Sequence, residues 1–326
     1  MPADAPARVS TALITGSNGF IGRTLCKTLA QNGWCVVGVS RRLDYGSGIP
    51  GVRDVCLSLN AAPDQWRQAM VSTSCVVHLA ARVHQLEKTK GRDDVAYKVN
   101  VEGSRFVAEQ AALAGVRRFV FLSSIKVHGE GESGRPYTAD DKPNPSDGYG
   151  QSKLDAERAL ADICRNAGME LIVVRPPLVY GPGVRANFER LMKLAALGLP
   201  LPLRAINNRR SLISVWNLAS FIETTMRHPA SQSVWLVSDG EDLSTPDLFA
   251  RLARLMGTEP KLFRLSPVWL KRLAAMVGLG AEANRLCDSL QVDMSPAQIR
   301  LNWTPPISVN EGLARTVEWY NAAHKM

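Results

Sequence analysis

A tyrosine and a lysine at helical spacing are the residues of this sequence best suited to move a proton. Tyr149 and Lys153 are four positions apart, so on a helix both side chains project from one face. A phenol ionises at about pH 10, too high for a general base at neutrality, but a nearby ammonium favours the phenolate and lowers this pKa. Ser124 ends an apolar run, and its hydroxyl could bind the same substrate oxygen. These three residues are the predicted catalytic set.

Three glycines between a β-branched run and a helical run predict a phosphate-binding loop. In Thr15-Gly-Ser-Asn-Gly-Phe-Ile-Gly22, the first glycine permits a tight turn and the second lets the backbone approach a pyrophosphate. The third glycine allows close packing of the helix, whose unpaired N–H groups would face the anion. A structural turn without a ligand is the alternative. The predicted cofactor loop comprises Gly16, Ser17, Asn18, Gly19, Phe20, Ile21 and Gly22.

The end of the second predicted strand indicates which dinucleotide the loop would hold. An NAD site usually places an acid there for the ribose 2′-hydroxyl, whereas a 2′-phosphate calls for arginine. Here the strand ends in Arg41 and Arg42, and the nearest acid, Asp44, lies past the expected position. NADP(H) is therefore the preferred cofactor and NAD(H) stays open, with solvated surface arginines as the alternative explanation. The positive ring of an oxidised nicotinamide would further lower the pKa of Tyr149.

The elements that must position these residues alternate regularly through the first half of the chain. Strands are predicted at 9–15, 34–39, 52–57, 75–80, 116–122 and 171–174, with helices between them that include 20–32, 92–114 and 149–166. Nearly continuous apolar strands separated by helices predict an α/β fold, a doubly wound parallel (Rossmann) sheet. The predicted domains are a nucleotide-binding domain over 1–177 and a smaller substrate-binding region over 178–326, with some segments returning to the first.

Composition and charge exclude several classes of protein. With 45% hydrophobic and 21% charged residues, the sequence is that of a globular protein and not a disordered one. No apolar run is long enough for a membrane span, and residues 1–10 carry no signal sequence, so the cytoplasm is expected. The net charge is +9, but its cations are dispersed, which argues against a nucleic-acid partner. Six scattered cysteines without a Cys-x-x-Cys pair predict reduced thiols and no metal site.

Four segments resemble one known family. The Gly-x-x-Gly-x-x-Gly spacing with Phe20-Ile21 resembles the extended short-chain dehydrogenases/reductases, the branch of sugar-nucleotide epimerases and dehydratases. Further segments that resemble this family are Val77-His-Leu-Ala-Ala81, Phe121-Leu-Ser-Ser-Ile-Lys-Val-His-Gly129 and Arg175-Pro-Pro-Leu-Val-Tyr-Gly-Pro-Gly183. The resemblance covers nearly the whole chain, and it assigns Ser124 to the catalytic serine position.

The resemblance implies further site residues and a homodimer. It implies that the cofactor also contacts Leu79, Ala80, Ala81, Asn100 and Pro176, together with Tyr149 and Lys153. It implies a nucleotide-sugar substrate, UDP-linked by analogy, held by Asn187, Arg210, Arg285 and Asp288, with Ser124 and Tyr149 at the sugar. Two arginines suit a diphosphate, although each could be a surface charge. Relatives commonly dimerise through two helices per subunit, here 92–114 and 149–166.

Two departures from the family pattern narrow the reaction. Relatives that dehydrate hexoses carry an Asp-Glu pair directly after the catalytic serine or threonine, where this chain has Ile125 and Lys126. A 4,6-dehydratase is therefore not expected. Leu178 replaces the asparagine of many relatives, which suits the methyl group of a 6-deoxy sugar, although Leu178 could equally be a core residue.

These observations predict an enzyme that transfers hydride at C4 of a nucleotide-linked hexose. The preferred reaction is NADPH-dependent reduction of UDP-2-acetamido-2,6-dideoxy-hexos-4-ulose in O-antigen synthesis, because a consumed reductant is usually the phosphorylated cofactor. The first alternative is a UDP-hexose 4-epimerase, acting on UDP-glucose or UDP-GlcNAc, that retains NAD. A more remote alternative is a sensor that binds NADP(H) without turnover.

Overall fold

A computed structural model describes residues 10–42, 48–59, 61–82, 97–131, 134–228 and 233–324. The chain forms two compact units, and it passes between them more than once. The first unit comprises Met1–Val127, Pro145–Arg175 and Ala219–Trp235. The second unit comprises His128–Asn144, Pro176–Leu218 and Leu236–Met326. The catalytic candidates Ser124, Tyr149 and Lys153 all belong to the first unit.

A seven-stranded sheet forms the centre of the first unit. Its strands run in the order β3-β2-β1-β4-β5-β6-β9, and the pairs β1–β2, β1–β4, β2–β3, β4–β5 and β5–β6 are parallel. The order reverses at β1, which is the usual place for a ligand in an open α/β sheet. The doubly wound parallel sheet predicted from the sequence is confirmed. The seven strands are β1 (Thr11–Thr15), β2 (Cys35–Ser40), β3 (Val52–Cys56), β4 (Cys75–His78), β5 (Arg118–Leu122), β6 (Glu170–Arg175) and β9 (Ser233–Leu236).

Helices cover this sheet because its central strands are apolar on both faces. Every residue of β4 and β5 is buried, as expected for strands packed between two helical layers. The core includes Leu13, Trp66, Phe119 and Phe121. The helices of this unit are α1 (Phe20–Gln31), α2 (Pro63–Ala69), a π-helical turn (Lys98–Glu102), α3 (Gly103–Leu113), α4 (Gly148–Ala167) and most of α6 (Val215–Arg227).

The second unit is built around a small parallel pair, β7 (Leu178–Tyr180) and β8 (Leu212–Ser214). The buried Tyr180 hydroxyl donates to Asp239 Oδ2 at 2.7 Å, and Asn217 Nδ2 donates to Asp239 Oδ1 at 2.6 Å. Because Asp239 also accepts from the Ser214 amide, its buried carboxylate joins three segments of this unit. The unit's helices are α5 (Ala186–Ala196), α7 (Thr245–Leu255), α8 (Pro267–Met276), α9 (Gly280–Cys287), α10 (Ser295–Leu301) and α11 (Val309–His324).

The described ranges contain neither a membrane-spanning helix nor a metal-binding cluster. None of the helices there has the length and apolar character needed to cross a bilayer. Nor do three His, Cys, Asp or Glu side chains come together in those ranges in a way that could hold a metal ion.

Candidate active site

The glycine loop has the shape that the sequence predicts. Gly16 has a φ of 72°, which favours glycine, and its amide donates to Val39 O at 2.9 Å. A Cβ on Gly22 would lie 2.1 Å from Gly16 O and 2.8 Å from Ser17 Cα, so a side chain cannot be placed there without moving the backbone. The loop is therefore fixed by close approach of main chain to main chain.

The polar atoms of this loop fit a bound pyrophosphate. Helix α1 begins directly after Gly19, which supplies no side-chain cap, and the first turn contains no acidic residue. Among the described residues, the buried atoms Ser17 Oγ and Asn18 Oδ1 lack a hydrogen-bond partner. Buried polar atoms are rarely left without one. A ligand group at this helix N-terminus would supply it, since such termini attract anions, so the loop fits the dinucleotide that the sequence predicts.

The end of β2 is connected to the same loop. Asn18 Nδ2 donates to Ser40 Oγ at 3.1 Å and to Arg42 O at 3.4 Å, while Ser40 Oγ donates to Arg42 O at 2.8 Å. Arg41 and Arg42 are exposed. Asp44 lies outside the described residues. The backbone of the arginine pair is thus tied to the phosphate loop, while the role of the two guanidinium groups stays a prediction.

The segment after β4 lies against the glycine loop. The Ala80 amide donates to Thr15 Oγ1 at 3.3 Å, and the Leu79 amide donates to Thr15 O at 3.3 Å. A Cβ on Gly16 would come within 3.1 Å of Ala80 N. Leu79 and Ala80 therefore border the loop, and the next residue, Ala81, is exposed. Their contact with the cofactor stays a prediction.

Asn100 connects this segment to the helix that carries the catalytic candidates. Its Oδ1 accepts from the Arg82 amide at 2.8 Å, and its Nδ2 donates to Ser152 Oγ at 3.0 Å. Ser152 Oγ in turn donates to Tyr149 O at 2.8 Å. Asn100 is fully buried, so it fixes the first turn of α4 relative to the loop after β4. The sequence did not single out Ser152, although its position one residue before Lys153 is a signal that could have found it.

His78 is a second residue that the sequence analysis did not assign. It is hydrogen-bonded to Thr15 Oγ1 at 2.8 Å and to Ser104 Oγ at 3.0 Å, and its ring stacks on Phe121. Burial, with a smaller contribution from the charge of Lys153, lowers the pKa of His78 to about 3. The imidazole is therefore neutral, and it connects β1 and β4 to α3 as a fixed polar link.

Lys153 lies at the centre of the catalytic cluster. Only 2% of it is exposed, and its Nζ donates to Leu122 O at 2.8 Å. The same Nζ lies 4.5 Å from the ring centroid of Phe121 and 6.0 Å from that of Tyr149. Burial lowers the pKa of Lys153 to about 7, partly offset by the charge of Glu157. Lysine ammonium and neutral amine are therefore both populated near neutral pH.

The pKa of Tyr149 shifts in the direction opposite to the one that its spacing from Lys153 predicts. Burial of the phenol, with a smaller contribution from the negative charge of Asp147, raises this pKa to about 12. The sequence predicts a lowered pKa from the neighbouring ammonium, but Lys153 Nζ donates to Leu122 O, and burial lowers its own pKa to about 7. Desolvation of the phenolate therefore outweighs the attraction of the lysine.

The segment after Ser124 packs against the first turn of α4. Ser124 is half-buried and accepts from the Lys126 amide at 3.3 Å. Lys126 Nζ lies 2.5 Å from Asp147 Oδ2, and Asp147 caps α4 by accepting from the Gly150 amide at 2.7 Å. A Cβ on Gly150 would lie 2.5 Å from Lys126 O. The structure thus brings the Ser124 segment against the helix turn that holds Tyr149.

Ser123 has a structural role that separates it from Ser124. It is buried, its hydroxyl donates to Glu157, and its amide donates to Val174 O at 2.8 Å. Glu157 also pairs with the buried Arg175, with Nη2 to Oε2 at 2.5 Å. Ser123 is thus part of a buried polar network, and the accessible hydroxyl of the pair belongs to Ser124.

Three of the four predicted nucleotide contacts come together in the second unit. Arg210 Nη1 donates to Arg285 O at 2.9 Å and to Asp288 O at 2.7 Å. Arg285 pairs with Glu130 at 3.0 Å, and Asp288 pairs with Lys271 at 2.6 Å. None of the described contacts joins Asn187, which is exposed at the start of α5, to these three. Glu130 and Lys271 are ion-pair partners that the sequence did not reveal.

The residues after β6 divide into buried and exposed positions. Pro176 is buried directly after the strand, whereas Leu178 in β7 is 42% exposed. The alternative that Leu178 is a core residue is therefore wrong, and its side chain is available to line a ligand site.

Comparisons with known proteins identify the family of this chain. The NAD dependent epimerase/dehydratase family matches residues 12–237. The chain is 38% identical over 317 residues to a UDP-glucose 4-epimerase of Vibrio cholerae, covering 96% of both proteins. It is 26% identical to the N-acetyl-alpha-D-glucosaminyl-diphospho-ditrans,octacis-undecaprenol 4-epimerase of Escherichia coli O157:H7, covering 94% of both. The structure of MoeE5 in complex with UDP-glucose and NAD matches with a TM-score of 0.76 and 26% identity, covering 97% of this chain and 100% of that one.

The family match includes the glycine loop, the serine segment and the Tyr149–Lys153 pair, and the similarity to the Vibrio cholerae protein extends along nearly the whole chain. The resemblance predicted from the sequence is thereby confirmed: this chain is an enzyme of the NAD-dependent epimerase/dehydratase family, within the extended short-chain dehydrogenases/reductases.

Proposed function

We propose that this enzyme reduces a UDP-linked 4-keto-6-deoxy sugar at C4, with NADPH as the reductant. The observation that carries the proposal is the arrangement around β5, where Lys153 Nζ is bonded to Leu122 O and the Ser124 segment packs against the turn of Tyr149. When bound, the cofactor supplies the hydride that reaches C4. The chain's own residues must then bind the carbonyl oxygen and protonate it.

Tyr149 is protonated at neutral pH, as the proton donor of the proposed reduction must be. A phenol with a pKa of about 12 keeps its proton at neutral pH, and a reductase needs this protonated form as the donor to the C4 oxygen. Ser124 donates a hydrogen bond to the same oxygen and orients it. Tyr149 gives up its proton as the C–O double bond becomes a hydroxyl, and the Lys153 ammonium stabilises the phenolate until solvent reprotonates it.

The preference for NADPH over NADH is part of this proposal and rests on Arg41 and Arg42. Two exposed guanidinium groups suit a ribose 2′-phosphate, and a charge-assisted pair contributes about 1.5–3 kcal/mol, or roughly tenfold to a hundredfold in affinity. The test compares NADPH and NADH binding by titration in the wild type and in Arg41→Ala/Arg42→Ala. We expect the double variant to lose affinity for NADPH but not for NADH. Arg165→Ala, at another exposed arginine, should change neither affinity. Equal binding of both cofactors by the wild type would refute the preference.

The proposed substrate is UDP-2-acetamido-2,6-dideoxy-hexos-4-ulose. Ile125 and Lys126 replace the Asp-Glu pair of hexose dehydratases, and Lys126 is paired with Asp147. This leaves no acid and base for water elimination. The exposed side chain of Leu178 could contact the methyl group of a 6-deoxy sugar. Arg210, Arg285, Asp288 and Asn187 are the residues that we propose hold the UDP group.

A UDP-hexose 4-epimerase is the second candidate, and the names of two relatives favour it. The Vibrio cholerae relative is named UDP-glucose 4-epimerase, and MoeE5 was solved with UDP-glucose and NAD. One experiment separates the two reactions. Enzyme, NADPH and the 4-keto sugar nucleotide should consume NADPH in proportion to product. Enzyme alone with UDP-glucose or UDP-GlcNAc should leave the sugar unchanged, and interconversion there without added cofactor would make the enzyme an epimerase.

A non-catalytic NADP(H) sensor is the remaining alternative. It would require cofactor binding without turnover of either sugar nucleotide in the same experiment. The presence of both Tyr149 and Lys153 favours turnover. A protein that only holds the cofactor could do so with other side chains in their place.

We also propose that the enzyme is a cytoplasmic homodimer that serves O-antigen synthesis. Its six cysteines are all free thiols, which fits a reducing compartment. The proposed dimer pairs α3 and α4 of each subunit. Ala108 and Ala111 are fully buried within the first unit, so the exposed side chains of these helices would form the proposed contact. Light scattering at several protein concentrations tests the dimer.

A further inference from the structure

The second unit exposes an unusual concentration of large apolar side chains on and around α8. No residue of this helix is buried. Single exposed apolar residues are ordinary, but a contiguous group usually marks an interaction site. We call this group the α8 surface. Its large apolar members and their exposed fractions are Phe263 (48%), Val268 (56%), Trp269 (56%), Leu273 (51%), Met276 (83%), Val277 (71%) and Leu279 (49%).

The outward stripe of α8 combines apolar side chains with a cation. Trp269, Leu273 and Met276 are spaced i, i+4 and i+7, so they share one face of the helix. Arg272 belongs to the same face, and its guanidinium lies 5.5 Å from the Trp269 ring centroid. Helices that lie in the plane of a membrane interface turn Trp and Leu towards the acyl chains and keep Lys or Arg at the headgroups.

The opposite side of α8 anchors the helix to its own unit. Lys271 Nζ lies 2.6 Å from Asp288 Oδ1, and Leu270 and Ala274 are half-buried. The preceding segment is also held, since the Phe263 amide donates to Leu201 O at 3.0 Å. Leu197 (65%) and Leu199 (48%), a few residues before Leu201, are also exposed. The α8 surface is therefore presented by a fixed element, and it continues beyond the helix.

The charge of this segment is of one sign. From residue 260 to residue 281 the sequence contains no Asp or Glu, and its four cations are Lys261, Arg264, Lys271 and Arg272. A second copy of the chain placed on this surface about a two-fold axis would bring like charges together. An anionic lipid surface instead complements the cations and receives the apolar stripe.

We propose that the α8 surface docks the enzyme on an anionic lipid bilayer. Trp269, Leu273 and Met276 enter the boundary between headgroups and acyl chains, while Arg264 and Arg272 contact lipid phosphates. The helix lies on the bilayer and does not cross it. Lys271 of this helix pairs with Asp288, which is one of the residues proposed to contact the nucleotide, so the docked helix directly contacts that proposed site. The proposal does not depend on which reaction occurs at C4.

The test is flotation of the full-length protein with vesicles of phosphatidylcholine, with and without phosphatidylglycerol. We expect binding to the anionic vesicles, and we expect it to weaken as salt is raised. Trp269→Ser/Leu273→Ser should lose at least tenfold in binding. Arg264→Gln and Arg272→Gln should each lose about fivefold on anionic vesicles only, because each cation near a charged bilayer contributes about that factor.

Matched controls come from exposed apolar residues elsewhere. Val71→Ser and Ile299→Ser remove side chains that are 60% and 81% exposed, and both variants should bind vesicles as the wild type does. NADPH affinity and the thermal midpoint confirm that each variant is folded. Failure of the wild type to bind anionic vesicles at low salt would overturn the proposal. An equal loss of vesicle binding in the two control variants would also overturn it. So would a Trp269→Ser/Leu273→Ser variant that binds vesicles as the wild type does and differs only by dissociation of an oligomer.

Discussion

The catalytic cluster of the first unit and the arginine cluster of the second, formed by Arg210, Arg285 and Asp288, differ in how far their charged side chains are buried. Lys153 is almost wholly buried and donates to Leu122 O. Beside it, Asn100 donates to Ser152 Oγ, which in turn donates to Tyr149 O. Arg285 and Asp288 are partly exposed and are each paired with a side chain, Glu130 and Lys271. Burial shifts the pKa of the first group, whereas solvent screens the ion pairs of the second.

This difference has a chemical consequence. A proton donor must be held at one position with one acidity, which requires buried partners that do not rearrange. A diphosphate contact needs only positive charge within reach, and it can exchange a carboxylate partner for a phosphate. We therefore expect substitutions in the first cluster to change the rate of the chemical step, and substitutions in the second to change substrate affinity.

The largest effect is expected at Tyr149. Tyr149→Phe removes the proton donor but keeps the ring, so kcat should fall by about 10²–10⁴-fold while NADPH affinity stays within about twofold. Steady-state kinetics and a cofactor titration measure the two quantities. Tyr137→Phe, at a phenol that donates to Gly131 O, is the matched control and should keep its activity. Unchanged turnover in Tyr149→Phe would dismiss the phenol as the acid.

The next effect is expected at the glycine loop. In Gly22→Ala the new Cβ would lie 2.1 Å from Gly16 O, and relieving such a clash costs about 1–3 kcal/mol. NADPH affinity should therefore fall by roughly tenfold to a hundredfold, which a fluorescence titration measures. Gly131→Ala provides the control, because a Cβ there meets nothing within 4 Å. Equal cofactor affinity in both variants would mean that the loop does not hold the pyrophosphate.

A smaller effect on binding is expected at Arg210. Arg210→Ala removes a guanidinium that also holds Arg285 O and Asp288 O, so KM for the sugar nucleotide should rise about tenfold to thirtyfold with kcat within about twofold. The neighbouring Arg209→Ala should change neither constant. If kcat falls in Arg210→Ala while KM stays constant, the arginine cluster affects the chemical step and its role is not limited to substrate binding.

The sequence predicts the loop and the sheet because steric rules that act over short distances decide both. Gly16 and Gly22 are required by contacts within the loop itself, and the buried strands β4 and β5 show as apolar runs. The same reasoning finds Lys153, since its spacing from Tyr149 is a property of one helix. These are features that neighbouring residues determine.

The sequence does not predict quantities set by residues distant along the chain. The raised pKa of Tyr149 depends on how completely the fold buries the phenol, which four-residue spacing does not reveal. The pairing of Arg285 with Glu130 joins positions 155 residues apart. The sequence does not reveal the structural role of His78, because a histidine within an apolar strand does not indicate its hydrogen-bond partners, Thr15 and Ser104.

The smallest expected effect concerns the pair formed by Lys126 and Asp147, which lie 2.5 Å apart beside the Tyr149 turn. The charge of Asp147 raises the pKa of Tyr149, and the Lys126 cation partly cancels that charge. Asp147→Asn should therefore lower the pKa of Tyr149, and Lys126→Met should raise it, each by about half a unit as expected for a partly solvated charge. Asn still caps a helix well, so α4 should remain intact.

The measurement is the pH profile of kcat/KM for the hydroxyl sugar nucleotide in the oxidative direction, at saturating NADP+. This rate rises with pH as Tyr149 loses its proton and then levels off, so the midpoint reports the pKa of the complex with the oxidised cofactor. Asp147→Asn should move the midpoint towards lower pH and Lys126→Met towards higher pH, and below the midpoint a half-unit shift changes the rate about threefold. Because the two substitutions act on one ion pair, loss of structure alone would move both profiles the same way or only lower their plateaus. Opposite shifts would instead establish that a pair outside the catalytic set controls the acidity of its phenol.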